Sequence, residues 1–198
     1  MSEVLVRGKI QLRVAILLAA LPLLGLLFGF STQVPGPNPI EEITHLTGRW
    51  ALRLILLSLA ITPARQFLGI QNIAPLRRLL GLAGFSYACL HLATWALLDH
   101  GLDSAAILED LIERRYILVG MSAFSILLIL AFTSTRASMK RLGQRWKRLH
   151  QAVYLAAILA VVHQFWLIKA DYRPAIVHAG ILGLLLGARL VWRARHQA

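Results

Sequence analysis

Two histidines stand within apolar stretches: His91 in Tyr87-Ala-Cys-Leu-His-Leu-Ala-Thr-Trp95 and His163 in Ala160-Val-Val-His-Gln-Phe-Trp166. An ionisable side chain in hydrocarbon surroundings is costly to keep, so it marks function by default. Two imidazoles at matching depth on different helices can clamp one metal centre between them. Haem iron suits that arrangement, because a planar apolar macrocycle lodges between helices with a neutral imidazole on each face. Zinc needs three or four protein ligands, and the matched pair supplies two. The plainer alternative is that each histidine only hydrogen-bonds a neighbouring helix.

The elements that must position this pair are membrane spans. Of 198 residues, 58% are hydrophobic and 15% charged, against about a quarter charged in soluble domains. The apolar residues come in blocks approaching the ~20 residues that cross a bilayer. An all-α, six-helix transmembrane bundle forming a single domain follows, with spans at Val14–Phe30, Gly48–Thr62, Leu79–Leu98, Tyr116–Ser134, Ala152–Ile168 and Ala175–Trp192. The second span is the shortest and carries Arg49 and Arg53, one turn apart, whose long stems can snorkel. Breakers separate the spans at Val34–Pro39, Thr62-Pro-Ala64 and Tyr172-Arg-Pro174. No internal repeat is evident. The first span follows Arg7, Lys9 and Arg13, and with five more spans behind it and no small-x-small cleavage site it reads as a retained helix rather than a signal peptide. The net charge of +12 lies in short loops, so topology explains it and nucleic acid is not the partner. Cys89 is the one cysteine, which excludes an internal disulfide and a cysteine-based metal cluster and leaves a small packing residue. A soluble enzyme, a disulfide scaffold and a DNA-binding module are excluded.

Lysines and arginines gather at the N-terminus, in Pro63–Arg78, in Thr135–Arg148 and at the C-terminus. The remaining loops hold eight of the nine acids: Glu41, Glu42, Asp99, Asp103, Glu109, Asp110, Glu113 and Asp171. The positive-inside rule then puts both termini in the cytoplasm and the acidic loops outside. His91 lies twelve residues past Leu79 and His163 twelve past Gln151, each ~18 Å from the inner edge at about 1.5 Å per residue.

The other polar residues have weaker signals. His150 closes the basic loop Met139–Arg148, thirteen residues before His163, or ~20 Å along a helix. It is either part of a second, inner centre or an interfacial residue. An inner partner is missing from the third span, where the position fourteen before His91 is Arg77. His45 stands just outside the second span, where a polar interfacial role is the leading reading and an approach to a haem edge the other. His178 reads as packed and hydrogen-bonded, His100 and His196 as solvated. Arg49 and Arg53 on the outer side, and Arg77 and Arg78 on the inner, are candidates for haem propionates. Topology control by the same arginines is the alternative. The inner cations, with Arg145, Lys147 and Arg148, also suit a flavin phosphate, an acidic donor protein or anionic lipid. Trp95, Trp146, Trp166 and Trp192 fall near span ends and fit an aromatic belt.

Several segments together are specific: Ile43-Thr-His-Leu-Thr-Gly-Arg49, Arg77-Arg-Leu-Leu-Gly-Leu82, Leu90-His-Leu92, Ala131-Phe-Thr-Ser-Thr135, and Leu142-Gly-Gln-Arg-Trp-Lys-Arg-Leu-His150 continuing through Tyr154-Leu-Ala-Ala-Ile158 to His163. On these the chain, from Gly8 to Val191, resembles the MsrQ (YedZ) family of haem-binding membrane subunits, relatives of ferric reductases and NADPH oxidases. The resemblance implies a six-helix bundle in the bacterial inner membrane, holding b-type haem and delivering electrons to a periplasmic molybdoenzyme, MsrP, that reduces methionine sulfoxide in oxidised proteins. It implies the quinone pool or a cytosolic flavin reductase as donor, with FMN as an associated cofactor. It puts His91 and His163 at haem-ligand positions and His150 at a third implicated position. The oxidases have two histidines on each of two helices, whereas the third span here offers only His91, so a second haem lacks a named fourth ligand. Without the appended flavin- and nicotinamide-binding domain, the reductant is expected from elsewhere. Methionine sulfoxide reduction itself is expected of the partner. The competing readings are a quinol-linked cytochrome b serving another acceptor, and a metal or ion transporter. The second of these is disfavoured by the lack of broken helices or an inverted repeat.

Overall fold

In the computed structural model of the chain, which describes residues 13, 16–17, 19–25, 38–168 and 171–197, every regular element is helical. The α-helices from residue 38 onward are α1 (Pro39–Leu68), α2 (Ala74–Ala93), α3 (Ser104–Glu113), α4 (Arg115–Phe132), α5 (Arg136–Leu142), α6 (Gln144–Leu149), α7 (Ala152–Leu167) and α8 (Arg173–Gln197). A 3-10 turn, Gln71–Ile73, leads into α2, and a π-helical segment, Thr94–Asp99, continues it. Among the described residues, five stretches are long and apolar enough to cross a membrane: Pro39–Leu68, Ala74–Asp99, Arg115–Phe132, Gln144–Leu167 and Arg173–His196. They correspond to the second to sixth spans read from the sequence. Much of the first, Val14–Phe30, lies outside the described residues; residues 19–25 within it are helical.

The second span departs most from expectation. It is the longest of the five, with 30 residues, and the most enclosed. Its start is set by Asn38, whose Oδ1 accepts from the Glu41 N–H at 3.3 Å, by Pro39 in the first turn, and by Glu41 and Glu42 at the positive end of the dipole. Its end at Leu68 is set by Gly69, whose φ of 66° gives the left-handed cap. Pro63, expected to break the chain, lies inside the helix and is buried. A proline has no N–H for the carbonyl four residues earlier, here that of Leu59. That carbonyl instead accepts from Nη2 of Arg189 on α8, a guanidinium-bearing residue only 8% exposed. A borrowed donor of this kind is what lets a proline persist in a span. Arg189→Met should therefore lower the unfolding midpoint in detergent by the equivalent of about 1–3 kcal/mol, the cost of a buried carbonyl left unsatisfied. In a Pro63→Ala background, where residue 63 regains its N–H, the same substitution should cost clearly less. An identical loss in both backgrounds would refute the assignment.

Two compact units result, described residues through Asp99 with those from Ala188, and His100–Gly187. In the first, α1 packs along α2 around Ala51, Leu54 and Tyr87, with Leu80, Ala83 and Ala88 alongside. The approach is close: a Cβ on Gly84 would stand 2.9 Å from the side chain of Ile55. Small residues permit such contact between membrane helices, where dispersion replaces the hydrophobic effect as the driving force. The Tyr87 hydroxyl donates to the Ala19 carbonyl at 2.8 Å and ties residues 19–25 to this pair. In the second unit, α4 packs along α7, burying Ala123, Leu127 and Leu130 on one side and Ala156, Ala157 and Val161 on the other. Leu57, Ile129, Leu155 and Leu184 remain exposed on the spans, on the faces available to lipid.

Candidate metal centre

His91 lies near the end of α2, half-buried, with Nδ1 2.9 Å from the carbonyl oxygen of Thr44 on α1. A carbonyl can only accept, so Nδ1 carries the proton and the lone pair rests on Nε2. That is the tautomer a metal ligand needs, and a carbonyl behind the ring is the usual means of fixing it. Around it, the Thr94 hydroxyl donates to the His91 carbonyl at 2.8 Å and lies 3.2 Å from the Thr44 hydroxyl. Thr94 opens the π-helical segment, so α2 changes its winding just past the histidine, an irregularity that recurs at functional sites.

His163 repeats this arrangement in the other unit. It lies four residues before the end of α7, half-buried, with Nδ1 2.7 Å from the carbonyl oxygen of Tyr116 in the first turn of α4. The same argument puts its proton on Nδ1 and its lone pair on Nε2. The Tyr116 ring stands 5.9 Å away, tilted by 45°. Each imidazole thus sits near the end of its α-helix and is held by a main-chain carbonyl 47 residues earlier in the chain. Each Nε2 is a neutral imidazole donor of the kind a haem iron accepts. Among the described residues, no three His, Cys, Asp or Glu side chains gather as a metal-binding group.

His150 is held differently. Its Nε2 lies 3.1 Å from the Thr133 hydroxyl, whose own proton goes to the Ile129 carbonyl at 2.7 Å, so the imidazole is the donor. Its ring stacks on Trp146 at 4.0 Å, and the Trp146 indole N–H donates to the Thr133 carbonyl at 2.9 Å. The cluster fastens α6 and the start of α7 to the end of α4.

The candidate arginines are spread along α1 and α2. Arg49 is half-buried on α1, next to Gly48, and Arg53 stands 5.1 Å over the Trp50 ring. Nη1 of Arg77 reaches the Thr62 hydroxyl at 3.4 Å, while Arg78 is exposed. His45 faces Glu41 one turn earlier, Nε2 to Oε1 3.3 Å, as a polar residue at the helix end. His178 is buried with Nδ1 2.9 Å from Oε1 of Gln164, as its packed reading requires. His100 is not solvated: Nε2 lies 2.9 Å from Oδ2 of Asp110, a carboxylate only 6% exposed that also pairs with Arg114. Asp110 belongs to α3, a helix capped by Asp103 in what reads as a loop. His196 is exposed and stacks on Trp192.

The carbonyls of Thr44 and Tyr116 escape sequence reasoning, since every residue has a carbonyl. A family model described as "Ferric reductase like transmembrane component" matches residues 47–161. The chain is 44% identical over 196 residues to the "Protein-methionine-sulfoxide reductase heme-binding subunit MsrQ" of Xanthomonas campestris pv. campestris strain 8004, covering 93% of this chain and 89% of that protein. The subunit of the same name from Ralstonia nicotianae is 40% identical over 191 residues, covering 93% and 88%. That from Xanthomonas axonopodis pv. citri is 48% identical over 158 residues, covering 80% and 72%.

Proposed function

The chain belongs to the ferric reductase-like transmembrane family and, within it, to the MsrQ heme-binding subunits, and from that premise we propose that it is the membrane electron carrier of a protein-methionine-sulfoxide reductase. It is a multi-pass membrane protein. His91 and His163 would hold a b-type haem, each through Nε2. The observation that carries this reading is the shared setting of the two imidazoles, each with Nδ1–H committed to a main-chain carbonyl at 2.9 and 2.7 Å. When bound, the haem supplies a one-electron carrier within the hydrocarbon region.

The surrounding residues take the remaining roles. With six spans, Val14–Phe30 included, and both termini in the cytoplasm, the ends of α2 and α7 that carry the histidines point to the outside of the bacterial inner membrane. Electrons then leave close to the outer surface, towards a periplasmic MsrP-like molybdoenzyme. Arg49 and Arg53 supply cations for propionates on that side, and His45 lies at its edge. Arg77, Arg78 and the basic segment Met139–Arg148 face the cytoplasm. There they receive the acidic face of a cytosolic flavin reductase or the phosphate of FMN, on the side where electrons enter from that reductase or from the quinone pool.

Vesicles carrying the purified chain, with quinol or reduced flavin on the cytoplasmic face and the molybdoenzyme on the other, test the proposal. Methionine sulfoxide should be consumed only when both proteins are present. Haem that is reduced but passes no electrons to the molybdoenzyme, while reducing another acceptor, would favour a quinol-linked cytochrome b. A colourless protein that carries a cation across the vesicle would favour a transporter.

A further inference from the structure

The setting of His91 recurs, position for position, at His163. Thr44, Gly48 and His91 correspond to Tyr116, Gly120 and His163, each pair 72 positions apart in the chain. In both copies the carbonyl that holds the imidazole lies four residues before a glycine, and the glycine lies 43 residues before the histidine. The carbonyl four residues back is the one a helical N–H bonds. Each imidazole therefore approaches a carbonyl beside the helix's own hydrogen bond, by lying across the glycine.

That approach requires the glycine. A Cβ on Gly48 would stand 3.0 Å from both Cε1 and Nδ1 of His91, and a Cβ on Gly120 would stand 2.8 Å from Nδ1 and 2.9 Å from Cε1 of His163. At Gly120 the rigid ring would have to move, and at Gly48 it would have to give by a few tenths of an ångström. Glycine is a poor residue for the interior of a helix, yet both helices carry it where the ring lies. We infer that Gly48 and Gly120 are a matched pair of positioning residues: each admits an imidazole onto the carbonyl of Thr44 or Tyr116, fixing the proton on Nδ1 and the direction of Nε2. The inference rests on the haem reading above. The 72-residue correspondence does not extend to His150, whose matching position is Arg78.

Gly48→Ala and Gly120→Ala test it, with Gly180→Ala and Gly183→Ala as controls, where a Cβ meets nothing within 4 Å. Gly120→Ala should weaken haem binding about tenfold or more, the usual cost of disturbing what orients a metal ligand, and shift the low-spin resonance of the oxidised protein. Gly48→Ala should do the same to a smaller degree, and the controls should match the parent chain. Native haem content and an unshifted resonance in both glycine variants would overturn the inference. Should a variant fail to fold, nitrogen-15 shifts of the histidines in haem-free parent protein decide the matter. Protonated Nδ1 at His91 and His163 is expected, and protonated Nε2 would overturn it. His91→Ala and His163→Ala separate the two levels. If both keep full haem, the haem reading itself falls. If they lose haem while the glycine variants stay native, only the positioning role falls.

Discussion

Replacing His91 or His163 by alanine should strip the purified protein of its haem, leaving about a tenth of the parent content or less. The expectation is this large because each histidine supplies a whole ligand. The fold gives no third donor to take its place, since no three metal-ligating side chains gather among the described residues. Each substitution also leaves the rest of the fold in place. The Thr44 and Tyr116 carbonyls stay within helices, and the buried residues between α1 and α2 and between α4 and α7 are untouched. Helix content should therefore persist while the Soret band is lost, and added imidazole should restore part of it by entering the vacated space. Pyridine haemochrome assay against protein concentration checks the first point, and circular dichroism the second. Full haem in both variants would remove His91 and His163 as ligands.

His150→Ala should give the opposite pattern: haem retained at the parent ratio, but reduced more slowly from the cytoplasmic side. His150 points its Nε2–H at the Thr133 hydroxyl and lies flat on Trp146, so that ring nitrogen is already a donor. What alanine removes is the fastening between the basic segment and the end of α4. Losing one such hydrogen bond is worth about 1 kcal/mol, or a factor of about five to ten in the population of the ordered segment. A similar factor is expected in the rate of haem reduction by quinol or reduced flavin, followed by stopped-flow absorbance. Loss of haem on the scale of the His163 variant would instead make His150 a ligand.

The histidine pair can be singled out because an imidazole within a span stands out against its neighbours, and similar spacing from the span starts predicts matching depth. What holds the pair was harder to see. Main-chain carbonyls carry no letter in the sequence, although the glycines left a trace in the 43 residues that separate Gly48 from His91 and Gly120 from His163. The identities around those positions differ, so the repeat lies in geometry more than in composition. Pro63 misled because a proline breaks a helix unless another donor serves the carbonyl it abandons, and that donor, Arg189, lies 130 residues from Leu59. His100 misleads because α3, with Ile107, Leu108, Leu111 and Ile112 at helical spacing, reads as a loop between two spans. Once Asp103 caps that helix, Asp110 is carried to within 2.9 Å of the imidazole. Local signals placed the second to sixth spans; a contact between distant parts of the chain let the second run on through Pro63.

The most direct test of the central claim is the spectrum of detergent-purified protein, oxidised and then reduced with dithionite, with haem quantified against protein. One b-type haem per chain, low-spin and with the signature of two imidazole ligands, is the predicted result. Protein expressed with ample haem that nonetheless binds none, or binds it with a single imidazole ligand, would contradict the assignment of His91 and His163.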